Sequence, residues 1–373
     1  MANIVLFGAG LIGQTIAKDL SELHTILVID SNQDNLDRLP ITNAIQKQTA
    51  NAMDVDSIGR YVHDSEIVIG ALPGYLGFNF LQKIIPLGKP IVDISFFPED
   101  PFQLETLAHT HQIPVAIDCG LAPGMSNIFC GHFSSVMDVK KFKCMVGGLP
   151  QNPKGFFKYK AVFSPRDVLE EYTRPARLVE NGKTIIKDAL TDIETVTVKK
   201  VGKLESFNTD GLRTLLKTMS IPTMLEKTIR YADTTKYLLL LKELGYLSDN
   251  PIEIGDTTIS PLEITSQLLL PHWKLEDEDR DVTVMKIVAD GTINHDHSQQ
   301  KVSLIDYYDE NNKTTSMART TGFTCTAIVN LILQNKWNKT GLIPPEYFGM
   351  DEVAYQFILN YLHNRGVDYQ TNT

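Results

Sequence analysis

The stretch Ile4-Val5-Leu6-Phe7-Gly8-Ala9-Gly10-Leu11-Ile12-Gly13 decides the fold of the first third of the chain. Its apolar start predicts a strand, and the apolar spacing of Leu11 to Leu20 predicts a helix directly after the glycines. A second predicted strand, Ile26 to Ile29, ends at Asp30, which lies twenty residues after Gly10. A G-x-G-x-x-G string between a strand and a helix, with an acid at the end of the next strand, predicts a dinucleotide-binding turn.

Each residue of this turn has its own physical role. Gly8 allows a tight turn, Gly10 lets the backbone approach a pyrophosphate, and Gly13 lets helix and strand pack closely. The helix that begins at Leu11 and Ile12 offers backbone N–H groups and the positive end of its dipole to phosphate. The alternative is a plain glycine-rich turn between a strand and a helix.

Asp30 decides the expected cofactor. Its carboxylate can accept hydrogen bonds from the adenosine ribose hydroxyls and repels a 2′-phosphate, and Ser31 and Asn32 after it include no arginine. We therefore expect NAD rather than NADP, with Arg38 as the nearest later arginine. Asp54 either lies near the adenine or is an N-cap.

Further candidate site residues follow the later strands of the predicted parallel sheet. Ala71-Leu72-Pro73 comes after the strand Ile67 to Ile69, at the edge where open α/β sheets bind ligands, although a simple turn is the alternative. Asp93 and Asp118 each end a predicted strand at the same edge. Either could take a proton from a substrate amine or anchor an ammonium group, and either could instead be a turn former or N-cap.

Composition excludes several classes of protein. The chain has 373 residues, of which 43% are hydrophobic and 21% charged, as in ordinary globular proteins. Its net charge of −10 argues against nucleic acid or an anionic membrane as the main partner. The four cysteines form no C-x-x-C pair, so we expect reduced thiols and a cytoplasmic protein. The H-x-H pairs at 109–111 and 295–297 have no third ligand at a readable spacing, so no metal site is expected.

The alternation of strands and helices predicts an α/β protein of two domains. Residues 1–124 are expected to form a Rossmann-type, doubly wound parallel sheet. Residues 125–319 are expected to form an α+β domain with a mixed or antiparallel sheet, and the helices of 320–373 to pack back onto the first domain. The second domain's predicted strands alternate polar and apolar residues: 140–146, 158–163, 184–186, 194–198, 282–288 and 301–307.

The segments after the glycine-rich turn resemble the saccharopine dehydrogenase family, in particular its lysine 6-dehydrogenase-like branch. The resemblance runs along nearly the whole chain, in six short strings that occur in the family's order. They are Ala71-Leu72-Pro73-Gly74, Gly120-Leu121-Ala122-Pro123-Gly124, Glu171-Tyr172-Thr173-Arg174-Pro175-Ala176, Thr209-Asp210-Gly211-Leu212, Glu226-Lys227-Thr228-Ile229-Arg230-Tyr231 and Ala318-Arg319-Thr320-Thr321-Gly322. One segment departs from the family, because Ala232-Asp233-Thr234 replaces an expected Pro-Gly-His.

The resemblance implies an NAD-dependent enzyme that oxidises the carbon of an amine, and a homodimer or tetramer. It places Arg230 on the substrate carboxylate, since arginine binds carboxylates in a two-point geometry; a structural salt bridge is the alternative. Arg319 and Thr320, at the expected start of a helix, are further candidates for the substrate, and Thr209 is expected to line the pocket. Asp210 is expected to cap a helix.

The expected reaction is oxidative deamination of the lysine ε-amine to a semialdehyde that cyclises. A sibling reaction, of the saccharopine or carboxynorspermidine dehydrogenase type, acts on a secondary amine. A third possibility, from another class of protein, is an NAD-binding sensor without catalysis.

Overall fold

A computed structural model describes residues 1–162 and 165–372 of the chain. Its contacts divide the chain into two compact units, which are described separately below. Unit 1 comprises Met1–Val136 and Ala318–Asp368, and unit 2 comprises Met137–Met317 and Tyr369–Thr373. The helix of 125–136 therefore lies in unit 1, whereas the sequence had placed it in the second domain.

The strands, in chain order, have the following bounds: β1 (Asn3–Phe7), β2 (Thr25–Asp30), β3 (Ile45–Thr49), β4 (Ile67–Gly70), β5 (Ile91–Asp93), β6 (Pro114–Ala116), β7 (Asp138–Pro150), β8 (Ala176–Glu180), β9 (Lys183–Lys187), β10 (Glu194–Val198), β11 (Gly202–Asn208), β12 (Thr223–Arg230), β13 (Ile252–Ile254), β14 (Thr257–Ile259), β15 (Asp281–Ile293), β16 (Asp296–Tyr307), β17 (Gly341–Ile343) and β18 (Gln370–Asn372).

The α-helices are α1 (Leu11–Leu20), α2 (Gln33–Asp37), α3 (Val55–His63), α4 (Gly74–Ile84), α5 (Glu105–His111), α6 (Met125–Val136), α7 (Pro165–Thr173), α8 (Leu215–Thr218), α9 (Ala232–Glu243), α10 (Pro261–Trp273), α11 (Ser316–Leu333), α12 (Pro345–Met350) and α13 (Glu352–His363). None of the helices in the described ranges is both long and apolar enough to cross a membrane.

Unit 1 is a doubly wound parallel sheet. Its strand order is β17-β6-β5-β4-β1-β2-β3, and every neighbouring pair is parallel. Strands β1 to β6 thus follow the Rossmann order, with the reversal of direction between β1 and β4, so the predicted fold class of this part is confirmed. The apolar strands are buried, as a sheet covered on both faces requires: Ile4, Leu6, Phe7, Ile67 and Val68 are all at most 1% exposed.

A buried polar chain ties the C-terminal helices of unit 1 to its N-terminal half. His24 accepts from the backbone N–H of Ala2 and donates from its other ring nitrogen to Asn330 on α11. The amide of Asn330 donates to the Tyr361 hydroxyl, which in turn donates to Asp19 on α1 at 2.7 Å. Hydrogen bonds of this kind between distant segments favour one packing of the helices. In any other packing these buried polar groups would lose their partners, which costs free energy.

Unit 2 is built on a mixed sheet, as predicted. Its order is β10-β11-β12-β7-β15-β16-β18, with the hairpin β8-β9 attached to β12. The β12–β7 pair is parallel and the other pairs along this path are antiparallel. Side chains of strands that are not neighbours in this sheet touch, which shows that the sheet is strongly curved. Lys143 on β7 contacts Glu194 on β10 at 2.5 Å, and Lys286 on β15 donates to the Thr197 carbonyl on β10.

Two expectations for unit 2 were wrong. The predicted strand Lys158 to Phe163 is a loop over Lys158 to Val162 with a single bridge from Ala161 to Lys274, and Phe163 lies outside the described residues. This loop buries Tyr159 and Ala161 in an apolar cluster with Trp273, so its alternation reflects burial rather than a strand. Asp210 does not cap the helix that follows it, because the N-cap of α8 is Thr214. The Asp210 carboxylate instead accepts from the backbone N–H of Arg177 at 3.0 Å and from its guanidinium at 2.8 and 2.7 Å.

Candidate functional site

In unit 1 the glycine-rich turn has the packing that the sequence predicts. Gly8 has a φ of +103°, and a Cβ there would lie 2.2 Å from the Ala71 carbonyl oxygen, so only glycine fits. A Cβ on Gly13 would lie 2.0 Å from the carbonyl oxygen of Gly8. In contrast, a Cβ on Gly10 would meet no atom within 4 Å, so the space beside Gly10 is open. The turn therefore holds β1, α1 and the start of the loop after β4 together and leaves one side accessible.

The open side of the turn suits an anion. Gly10 is the N-cap of α1 and has no side chain that could accept from the N–H groups of the first turn. The residues of that turn, beginning with Leu11 and Ile12, therefore have N–H groups that could bind an anion. The first turn of α1 contains no acidic residue that would repel phosphate. Ala71 donates to the Phe7 carbonyl at 2.8 Å, and Pro73 is the N-cap of α4. Ala71, Leu72 and Pro73 thus lie at the carboxyl end of β4, beside the turn.

Asp30 lies at the carboxyl end of β2 and is tied to the turn. Its two carboxylate oxygens accept from the backbone N–H groups of Ala9 and Asn32, at 2.7 and 2.8 Å. The Asn35 side chain donates to the same carboxylate at 3.3 Å. Arg38 is exposed beyond the end of α2. A carboxylate fixed at this position fits the ribose of a dinucleotide, and the turn fits its pyrophosphate.

Three other predicted residues of unit 1 are placed as follows. Asp93 is fully buried, and accepts from the backbone N–H of Ser95 at 2.8 Å and from its hydroxyl at 3.1 Å. Asp118 is 1% exposed, has a φ of +52°, and precedes Cys119, whose N–H donates to the Asp93 carbonyl. Asp54 directly precedes α3, and its carbonyl accepts from Ile58 at 3.2 Å. The roles of all three toward substrate or cofactor stay predictions.

The helix that carries Arg319 and Thr320 begins earlier than expected. It starts at Ser316, and the Asp281 carboxylate accepts from the N–H groups of Ser316 and Met317 at 2.7 and 2.9 Å. These first N–H groups are therefore satisfied by Asp281, so the expectation that Arg319 and Thr320 open the helix was wrong. Arg319 donates to the carbonyls of residues 365 and 366, and Thr320 is fully buried.

In unit 2, Arg230 is 1% exposed and paired within its own unit. It forms an ion pair with Glu171, and its Nε donates to the Tyr172 hydroxyl at 2.9 Å. Its other contacts are with the Ile229 carbonyl and the Tyr159 hydroxyl, and its guanidinium lies 4.7 Å from the centre of the Tyr159 ring. Burial lowers the pKa of Arg230, but Glu171 and the two tyrosines more than offset this and hold its pKa above the usual value. These contacts are the ones expected for the alternative reading of Arg230, a structural salt bridge. The binding of a substrate carboxylate by Arg230 stays a prediction.

Glu226 is a candidate that the sequence analysis missed as a site residue. It is 4% exposed, and its Oε2 accepts from the Thr209 hydroxyl at 2.7 Å. Burial, together with the nearby carboxylates of Glu171 and Asp210, raises the pKa of Glu226 to about 8, against the bonds from Thr209 and Gly211 that lower it. The signals in the sequence are that Glu226 opens one of the family-like strings and lies in the middle of strand β12, where an exposed face would explain a glutamate equally well.

The Arg230 cluster, as we call it, unites side chains from one strand and its neighbours. Glu226, Thr228 and Arg230 alternate along β12 and so share a face of the strand. The other members come from β11's end, α7 and the loop before α7. The cluster consists of Arg230, Glu171, Tyr159, Tyr172, Glu226, Thr209 and Thr228.

The segment that departs from the family's string forms local structure. Ala232 begins α9, and Asp233 in its first turn pairs with Lys158 at 2.6 Å. The Thr234 hydroxyl donates to the Phe157 carbonyl, and its side chain is fully buried. Here this segment holds the loop of Phe157 and Lys158 against α9.

The sheet order and the glycine-rich turn of unit 1 are those of a dinucleotide-binding domain. The family model "Saccharopine dehydrogenase NADP binding domain" matches residues 4–114, and "Saccharopine dehydrogenase C-terminal domain" matches residues 120–367. The chain therefore belongs to the saccharopine dehydrogenase family, as its segments had indicated. It is an oxidoreductase of that family, and its N-terminal domain is one that binds a nicotinamide dinucleotide.

Named relatives agree with this family. Saccharopine dehydrogenase [NADP(+), L-glutamate-forming] of Schizosaccharomyces pombe is 23% identical over 335 residues, which is 84% of this chain and 70% of that protein. Alpha-aminoadipic semialdehyde synthase of Arabidopsis thaliana is 21% identical over 284 residues, 71% of this chain but only 26% of that longer protein. The apo saccharopine dehydrogenase (L-Glu forming) of Saccharomyces cerevisiae has the same fold, with a TM-score of 0.81 over 100% of both chains at 17% identity.

The raised pKa of Glu226 predicts a pH-dependent stability. Its pKa is about 8 in the folded protein against 4.5 as the ordinary value, so the unfolded chain releases this proton first as the pH rises. The contribution of Glu226 to the free energy of unfolding is thus fully present below about pH 4.5 and falls as the pH rises towards 8, by at most about 1.4 kcal/mol per pH unit.

Replacing Glu226 by glutamine should remove this slope, as measured by urea unfolding at several pH values. Glu253→Gln, on the exposed strand β13, is the matched control and should keep the wild-type slope. If the free energy of unfolding depends on pH in the same way in wild type and in Glu226→Gln, the pKa of Glu226 is not raised in the folded protein.

Proposed function

We propose that this protein oxidises an amine carbon of an amino acid with NAD, and that the reaction is oxidative deamination of the lysine ε-amine. The observation that carries the reaction class is the combination in one chain of the glycine-rich turn with the C-terminal domain of saccharopine dehydrogenase. The family-like segments of the sequence support the lysine ε-amine as the reacting group. When bound, a nicotinamide dinucleotide accepts a hydride.

The chain's own residues divide the other tasks. Gly8, Gly10 and Gly13 shape the turn that would hold the pyrophosphate, and the N–H groups at the start of α1 would donate to the same anion. Asp93 and Asp118 are the carboxylates proposed to take the proton from the substrate ammonium, because hydride loss requires a neutral amine. Arg230 and Arg319 are the cations proposed to bind the substrate's carboxylate.

The preference for NAD rests on Asp30. Its carboxylate is fixed by Ala9 and Asn32 at the carboxyl end of β2, where it can accept from ribose hydroxyls and repels a 2′-phosphate. The fission yeast relative is named for NADP, so the cofactor choice is a direct test of this geometry.

Asp30→Ala should weaken NAD binding by roughly 1–3 kcal/mol, because a charged hydrogen-bond partner is lost. The same change should strengthen NADP binding relative to NAD, because the repelling charge is gone. Calorimetric titration of both dinucleotides measures the effect, with the exposed Asp64→Ala as control. Equal NAD affinity in wild type and Asp30→Ala would remove Asp30 from this role.

A second reaction is favoured by the comparisons. Both the fission yeast relative and the budding yeast structure carry the name saccharopine dehydrogenase, which implies a secondary amine that joins two amino acids. The same turn and carboxylates would serve that reaction, since the bond that is oxidised is again a carbon–nitrogen bond.

Steady-state assays separate these reactions. We expect reduced nicotinamide to form from NAD with lysine, detected by its absorbance, and less of it with saccharopine or carboxynorspermidine. Faster turnover of saccharopine than of lysine would favour the second reaction. Tight NAD binding without turnover of any amine would contradict the proposal and favour a sensor.

A further inference from the structure

Helix α9 of unit 2 carries leucine all round its axis. Leu238 to Leu241 occupy four successive positions, which lie on different sides because successive residues of a helix are about 100° apart. Leu238 is fully buried in the apolar cluster with Trp273, whereas Leu239 and Leu240 are 37% and 49% exposed. Helices that are apolar on all sides are normally covered on all sides. The outer side of α9 is therefore that of a helix with a partner.

Other apolar side chains continue the outer side of α9. Tyr237, Leu240 and the C-cap Leu244 recur at helical spacing and so share one side of the helix. Leu244 is 63% exposed. Phe156, which is 79% exposed, packs against Tyr237 with 6.1 Å between the ring centres. These side chains form an apolar ridge along α9.

Helix α10 extends the apolar surface beyond this ridge. The Tyr246 carbonyl, shortly after the end of α9, accepts from the Thr265 hydroxyl on α10 at 2.8 Å. Ile264 and Leu268, on either side of Thr265 and one turn apart, are 37% and 65% exposed, and Tyr246 is itself 51% exposed. The exposed apolar side chains of the two helices are therefore neighbours.

A groove of about 430 Å³ lies between α10 and the hairpin of β13 and β14. It is lined by Thr258, Ile259, Glu263, Ile264, Gln267 and Leu268. Ile252 and Ile254 share a face of β13 and are about half exposed. Within the described residues β13 and β14 pair only with each other. An isolated two-stranded hairpin is only marginally stable in water, so a covering partner would stabilise this one.

We call these exposed side chains together the α9–α10 surface. Each is more than one third exposed, and together they leave on the order of 800 Å² in water, about what each partner of a stable pair contributes. Proteins that work as monomers rarely expose apolar patches of this size. The surface consists of Phe156, Leu239, Leu240, Leu244, Tyr246, Ile252, Ile254, Ile264 and Leu268.

The charges around the α9–α10 surface argue against a membrane as its partner. Glu243, Asp256 and Glu263 are exposed acids on the elements that form it, and the whole chain has a net charge of −10. Negative charges of this kind repel anionic lipid headgroups and nucleic acids. The partner that fits is therefore another apolar protein surface.

The α9–α10 surface is complementary to itself. One side of it is the ridge with Leu240 and Leu244, and the other is the groove beside Ile264 and Leu268. In a two-fold pair the ridge of each copy lies in the groove of the other, so both are covered at once. The exposed Lys236, one turn before Leu240, then approaches the acidic groove of the second copy.

We propose that the α9–α10 surface is the interface between two copies of this chain, packed ridge into groove about a two-fold axis. The surface lies within unit 2 and includes none of the residues assigned to cofactor or substrate. The inference is therefore independent of the proposed reaction.

Sedimentation velocity over a range of protein concentrations tests this interface. Wild type should be a dimer at micromolar concentration. Leu240→Glu, in the ridge, and Leu268→Glu, in the groove, each bury a charge at the centre of the interface and should raise the dissociation constant at least about tenfold. Val353→Glu is the matched control, because Val353 on α13 of unit 1 is 63% exposed, as Leu268 is at 65%. It should remain a dimer.

Urea unfolding gives a second measurement. The urea midpoint of a dimer rises with protein concentration, because association stabilises only the folded chain. This rise should occur in wild type and Val353→Glu and should be absent from Leu240→Glu and Leu268→Glu. The two leucine variants lie on different helices, so one that fails to fold leaves the other to decide.

Three results would overturn the interface. They are a wild type that stays monomeric at every concentration, a dimer that persists in both leucine variants, and a dimer that Val353→Glu dissociates as well. Flotation of monomeric wild type with phosphatidylcholine and phosphatidylglycerol vesicles would assign the surface to lipid instead.

Discussion

The close packing of Gly8 against Ala71 and Gly13 is the constraint on which unit 1 depends. A side chain at Gly8 or Gly13 would overlap a backbone carbonyl at about 2 Å, so β1, α1 and the loop after β4 can meet only because both residues lack one. The meeting point lies where the strand order reverses, between β1 and β4. Ligands of open α/β sheets bind at such a point. Asp30, anchored by Ala9, lies at the same edge of the sheet.

A second constraint governs unit 2, where charges are buried in a cluster rather than spread over a surface. Arg230 and Glu171 compensate each other, and the aromatic rings of Tyr159 and Tyr172 exclude water around them. Removing either charge would leave the other buried and unpaired, which is costly. Glu226 has no such partner and is accommodated by its proton. The contrast explains why Arg230 keeps its charge at all ordinary pH values while Glu226 changes its own.

Local patterns were enough to predict the parallel strands β1 to β6, because such a sheet is built from consecutive apolar strands and short turns with their own chemistry. The strands β1 to β6 and the special positions Gly8, Gly13 and Asp30 follow from such patterns. The strand β17 and the place of α6 in unit 1 were not predicted. Contacts between distant residues were not predictable in this way. The pairing of Asp210 with Arg177, and of Asp281 with the start of α11, depends on strands that meet only in the folded sheet. Glu226 stayed unnoticed because its burial comes from Gly211 and Thr209, across the β11–β12 pair.

The measurement that tests the central claim most directly is calorimetric titration of NAD into wild type and Gly10→Val. A Cβ at Gly10 meets nothing within 4 Å and its φ is −68°, so the variant should fold, with a loss of roughly 1 kcal/mol because valine is a poorer N-cap than glycine. Its side chain would nevertheless occupy the open side of the turn, where the pyrophosphate is expected, and NAD binding should fall at least about tenfold. Equal NAD affinity in the two folded proteins would contradict a dinucleotide at this turn.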